Sequence, residues 1–220
     1  AAAAWADTVQ RFGKLPLPQV LAPAIELAEG GFAVHKVCAH TWQECEHQLT
    51  RWGELNQGVD ALLPGEGGCA PREGDWVENA DLAATLRELA QHGKDGFYRG
   101  RVAKAICSVV NAFGGKMTEL DLAEHSSSWE EALSVDFMGS TVWELPPNGQ
   151  GLVALIALQI LSELPQLQQM QHNSAEYLHV LTEALRLAFA DGAANICDPS
   201  SADAARAQPV AELLSTARAA

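Results

Sequence analysis

The sequence has 220 residues, 48% of them hydrophobic and 19% charged, with 18 Gly and 10 Pro. That balance describes a globular chain and excludes collagen-like and wholly disordered classes. Lys and Arg number 14 against 28 Asp and Glu, a formal charge of −14. The nearest thing to a basic cluster is Arg99, Arg101 and Lys104, so a nucleic-acid partner is not expected.

The longest apolar run, Leu152 to Leu158, is shorter than the roughly 20 residues that cross a bilayer, so no membrane segment is expected. The chain opens on alanines, with neither an initiator Met nor a signal-type leader, and is read as cut or incomplete at its front. Five dispersed cysteines without a Cys-x-x-Cys pair suit free thiols better than a disulfide scaffold.

In chain order, a helix from Trp5 to Phe12 stops at Gly13. Leu15-Pro16-Leu17-Pro18 starts a second helix that runs to Glu29, where Pro23 implies a kink or a later start. A third covers His35 to Trp52. From Glu54 to Val77 the periodicity disappears among Gly, Pro and Glu, which reads as an exposed loop. Asn79 or Asp81 then caps a helix with Leu82, Leu86 and Leu89 on one face, ended by Gly93. Val102 to Phe113 is another amphipathic helix, and Thr118 with Asp121 forms a capping pair for a short one through Glu124.

Two alternating segments, Leu133–Phe137 and Thr141–Leu145, read as a hairpin joined by Met138-Gly139-Ser140. The helix Leu152 to Leu164 lacks a polar face and should be buried between other layers. Asn173 or Ser174 caps a helix to about Ala190, and an Ala-rich, weakly helical tail follows from Ser201. The fold class is α+β, mostly helical. Residues 1–220 read as a single incomplete domain whose main internal break is the loop at about 54–77.

Three constellations invite a chemical reading. His35, Cys38, His40, Cys45 and His47 suggest zinc, but on one helix Cys38 and Cys45 stand about 10 Å apart. Zinc needs its ligands about 2.0–2.3 Å from one point, so no metal site is assigned. Ser126-Ser127-Ser128 beside His125 lacks a nucleophile elbow, and a loop accounts for it equally well. Glu130-Glu131 read as a solvated edge, and no phosphate-cradling glycine motif occurs. The residues by themselves supply no catalytic set.

Pro146 to Gly151 is more informative. Two prolines restrict the exit from the second strand, two glycines permit close backbone approach, and the next helix starts with unpaired N–H donors that favour a negative group. In the family that this stretch resembles, the loop leaves the hairpin toward the catalytic layers, and that resemblance makes Asn148 and Gln150 candidates for a substrate-binding wall. The alternative is a plain turn in which Asn148 only caps the helix.

Several segments resemble the gamma-glutamyltranspeptidase family. They are Leu15-Pro16-Leu17 through Gly30-Gly31-Phe32, Asp81-Leu82-Ala83-Ala84-Thr85-Leu86 through Gly96-Phe97-Tyr98-Arg99-Gly100, and Gly114-Gly115-Lys116-Met117-Thr118 with Asp121-Leu122-Ala123. Leu145-Pro146-Pro147-Asn148-Gly149-Gln150-Gly151 follows, and then Glu183 to Asp191 with Asp198-Pro199. The Pro-Pro-Asn-Gly-Gln-Gly form is similar to the acylase-like branch, and the resemblance covers essentially the whole chain.

The resemblance implies part of an αββα N-terminal nucleophile hydrolase, made as a precursor that cuts itself. It implies a Thr nucleophile at the start of a small subunit, a gamma-glutamyl or related small-molecule amide substrate, and no cofactor. The threonines present do not fit the processing site, so this chain reads as a large-subunit fragment whose partner is the small subunit. No catalytic residue is assigned within it, and the fragment alone is expected to be inactive. Relatives usually carry Arg directly after Phe-Ala-Asp of the late helix, where this chain has Gly192. A catalytically degenerate homologue acting as a helical binding or scaffold protein is the second reading.

Overall fold

A computed structural model describes residues 1–51, 53, 58–146, 149–198, 201, 204 and 206–220. The chain divides into two compact units, Ala1–Ser127 and Ser128–Ala220.

The first unit is helical. It contains α1 (Ala2–Phe12), α2 (Leu17–Gly30), α3 (Lys36–Thr50), α4 (Ala80–His92), α5 (Asp95–Tyr98), α6 (Gly100–Ala112) and α7 (Glu119–Ala123). α1 starts three residues before the expected Trp5, because Ala2 and Ala3 pack into the core, at 4% and 0% exposure. α2 begins directly after Pro16, with Pro18 in its first turn, and runs through exposed Pro23 without a break. Asn79 Oδ1 accepts from Leu82 N at 2.9 Å and starts α4, whose Leu86 and Leu89 meet Leu21 and Ala2 in one apolar cluster. Thr118 and Asp121 form the expected capping box at α7.

A short antiparallel pair, β1 (Phe32–Ala33) with β2 (Trp76–Val77), was not expected from the sequence. Its register sets Phe32 opposite Val77 and Ala33 opposite Trp76, and the Trp76 indole donates to Gly30 O at 3.0 Å. Two-residue strands carry too little alternation to be read locally. Buried Val34, Val77 and Ala39 hold this pair against α3.

The second unit places a hairpin against helices. β3 (Leu133–Phe137) pairs with β4 (Ser140–Glu144) from Leu133↔Glu144 to Phe137↔Ser140. The turn between them has positive φ at both Met138 (49°) and Gly139 (80°), the handedness that matches strand twist. α8 (Gly151–Ser162), α9 (Ala175–Asn195), α10 (Val210–Leu213) and α11 (Thr216–Ala219) complete the unit.

α8 carries the core. Leu152, Val153, Leu155, Ile156, Ala157 and Leu161 are buried, and α9, the hairpin and α11 pack around the helix. It stops two residues before the expected Leu164, where a 3-10 turn at Pro165–Gln169 takes over. α9 runs past the expected Ala190 to Asn195, because Ala188 and Gly192 still face the core.

Candidate functional site

The sequence pointed to the connection between β4 and α8. Asn148 lies outside the described residues. Gln150 is the residue before α8, exposed, with φ −88°, and its side chain makes no capping bond. Glu144, the last residue of β4, lies beside the start of this helix. Its carboxylate lies against Gly151, so that any β-carbon there would collide with it. A carboxylate at that position offsets the partial positive charge of the helix N-terminus.

Beside Gln150 lies a concavity of about 310 Å³ lined by Gly149, Val153, Phe189, Gly192, Ala193 and Ile196. It brings together two features that stood 42 positions apart as separate observations, Gln150 and Gly192. Gly192 is buried, and a β-carbon on it would lie 2.6 Å from Val153 Cγ2. This glycine lets α9 approach α8 closely. Phe189, three residues earlier, remains 49% exposed at the rim.

Next to Gly192, Asp191 holds the tail of the chain. Its two oxygens accept from Arg218 Nη2 at 2.6 Å and Nε at 3.0 Å. That bidentate pairing raises the Arg218 pKa above its ordinary value, with burial opposing it. Asn195 reinforces the arrangement: its Nδ2 donates to Asp191 O at 2.9 Å and its Oδ1 accepts from Gln208 N at 2.8 Å. Sequence reading missed this anchor, since nothing local links residue 218 to residue 191.

The remaining constellations take structural roles. His35 caps α3 by accepting from Val37 N at 3.3 Å, and His47 Nδ1 lies 3.0 Å from Glu44 O. Among the described residues no three His, Cys, Asp or Glu side chains gather as a metal site would require. His125 stacks on Tyr98 with ring centroids 4.8 Å apart. Asp7 meets Lys94 Nζ at 2.9 Å and has the Ser127 side chain as a second neighbour. These contacts hold the Asp7 carboxyl below its usual pKa, with Lys94 the first cause and Ser127 the second. Among the described residues no helix is long and apolar enough to cross a membrane.

The fold is that of part of an N-terminal nucleophile hydrolase, mostly helical with small sheets. The structure aligns over its whole length with the cephalosporin acylase from Bacillus halodurans, at TM-score 0.88 and 35% identity, covering 40% of that chain. It also aligns with the Helicobacter pylori gamma-glutamyltranspeptidase over 99% of its length, at TM-score 0.85 and 26% identity, covering 60% of that chain.

A family model described as gamma-glutamyltranspeptidase matches residues 1–220, and the chain belongs to that family. The glutathione hydrolase-like YwrD proenzyme of Bacillus subtilis is 34% identical over 90% of this chain and 37% of its own length. The acylase ACY 1 proenzyme of Pseudomonas sp. (strain SE83) is 32% identical over 97% of this chain and 37% of its own. The chain spans about a third of the length of the curated relatives it matches.

Proposed function

We propose that these residues are the large-subunit part of a self-processing amide hydrolase or acyltransferase. The family match across residues 1–220 carries this reading, supported by the alignments with an acylase and a transpeptidase. On this reading the precursor cleaves itself, and a Thr outside residues 1–220 opens the small subunit. Its hydroxyl attacks the amide carbonyl of a gamma-glutamyl or related substrate; its own amine takes the hydroxyl proton and passes it to the departing amine as the C–N bond breaks, which leaves the acyl-enzyme. Water or an acceptor amine then resolves the acyl-enzyme. No metal or organic cofactor takes part.

Gln150 borders the acyl pocket in this proposal, and Asn148 is assigned beside it from the sequence alone. The support is the concavity that Gln150 lines, and a Gln150 side chain that makes no capping bond to α8. The second reading, a catalytically degenerate scaffold, rested on Gly192. The close approach to Val153 gives that glycine a packing reason of its own.

The test is expression of the full-length precursor, with intact-mass analysis for self-cleavage and N-terminal sequencing of the smaller product. A new N-terminal Thr, together with turnover of a gamma-glutamyl anilide or another acyl anilide, is the expected result. An uncleaved, inert protein would leave the scaffold reading in place.

A further inference from the structure

Among the described residues, no charged side chain lines the concavity beside Gln150. Val153, Phe189, Ala193 and Ile196 supply apolar surface, the glycines at 149 and 192 supply backbone, and Gln150 is the one polar residue in the wall among the described residues. At about 310 Å³ it falls at the small end of the range for small-molecule sites, and apolar walls with one convergent polar group are their usual composition. Phe189 is 49% exposed at this rim while Val153 beneath it is 4% exposed, so a ring or alkyl chain entering here gains contact on two sides.

Resting on the reading that Gln150 borders the acyl pocket, we propose that this concavity receives an uncharged, apolar acyl group of the amide substrate, such as a medium alkyl or arylacetyl chain. A gamma-glutamyl head carries an α-ammonium and an α-carboxylate. Neither would find a counter-charge among the described residues of these walls, and a charge taken from water without a partner is strongly disfavoured. An alkyl chain instead gains with every methylene it buries, about fourfold in an equilibrium constant for each. The amide of Gln150 is placed to donate to, or accept from, the polar end of such a group.

Position 193 is the place to fill the site. A side chain at 192 would strike Val153 and disturb the helix pair, whereas Ala193 is exposed and lines the same wall. The experiment uses the full-length protein and p-nitroanilides that share one leaving group: acetyl, hexanoyl, phenylacetyl and gamma-glutamyl. The expected result is a hexanoyl or phenylacetyl kcat/KM at least tenfold above acetyl, with the ratio collapsing toward one in Ala193→Leu. Phe189→Ala, a change at a half-exposed ring, should lower the same ratio and carries the test if the 193 variant fails to fold.

A binding arm separates this proposal from the reading beneath it. N-Methylhexanamide, an uncharged probe, is titrated by ligand-observed NMR, with binding expected to weaken at least tenfold in Ala193→Leu. If every anilide is inert, the amide-hydrolase reading fails and the binding arm alone decides the subsite. Absence of probe binding overturns the proposal, as does a flat acyl series or a gamma-glutamyl preference untouched by either variant. A wild-type ratio near one, combined with Ala193→Leu blocking self-cleavage, would mean that another part of the protein fills the concavity, and that too overturns it.

Discussion

Gly192 on α9 and Val153 on α8 meet so closely that a β-carbon at 192 would stand 2.6 Å from Val153 Cγ2. Val153 is β-branched and 4% exposed, so it has little freedom to move aside. Gly192→Ala gains about 1 kcal/mol of helix propensity. Overpacking costs about 1–3 kcal/mol, and the second effect should win. The expected net loss is about 1 kcal/mol, seen as a lower midpoint in urea unfolding. Val153→Ala in the same chain should relieve the clash, so the double variant should be less destabilised than the sum of the two singles. Strict additivity would contradict the contact.

The Arg218–Asp191 pair fastens α11 to α9 from side chains that are 34% and 22% exposed. Partly solvated pairs contribute about 1 kcal/mol or less. Arg218→Ala should therefore leave global stability nearly unchanged while amide exchange rises selectively over Val210–Ala219. Uniform exchange across the second unit would mean that the pair is not the anchor.

Asp7 ties α1 to Lys94 and Ser127, and its carboxyl titrates below the ordinary carboxylate value of 3.8. A lowered folded-state pKa contributes stability that is present above the unfolded value and is lost as pH falls through the folded one. Wild type should exceed Asp7→Asn in thermal stability at neutral pH. The gap should close at pH values below 3.8. A gap independent of pH would remove the charge from the explanation.

Gln150→Ala in the self-processed, full-length protein should preserve folding, since Gln150 is exposed and its side chain does not cap α8. On the proposed reading kcat/KM falls about tenfold, or about 1.4 kcal/mol. Unchanged kinetics with unchanged self-cleavage would reduce the segment to a turn.

Residues 1–220 on their own should not hydrolyse a gamma-glutamyl anilide, because the proposed nucleophile lies outside them. They should also self-associate, because large apolar side chains stay in water: Trp143 is 63%, Leu145 73% and Leu187 59% exposed. Size-exclusion chromatography and a chromogenic assay check both. Turnover that survives further purification would refute the assignment of the nucleophile.

The sequence alone determined the features whose causes are local. It offered Asn79 or Asp81, Thr118 with Asp121, and Asn173 or Ser174 as helix starts; Asn79, Thr118 and Ser174 take the role, each with a side-chain oxygen that meets an N–H three residues ahead. The β3–β4 hairpin follows from alternation on either side of a short turn, although Ser140, read as part of the connection, opens β4 and Leu145 lies beyond it; the burial of α8 follows from its lack of a polar face. The likeness of the Pro-Pro-Asn-Gly-Gln-Gly stretch and its neighbours to one family was also legible there. Tertiary structure alone decided the pairing of Phe32 with Val77, the placing of Glu144 over Gly151, the joining of Arg218 to Asp191, and the meeting of Gln150 with Gly192 around one concavity. Each depends on residues distant in the chain or on the shape left where a side chain is missing. Periodicity and capping chemistry act within one turn or one strand, so they carry no information about which distant surface will close upon them.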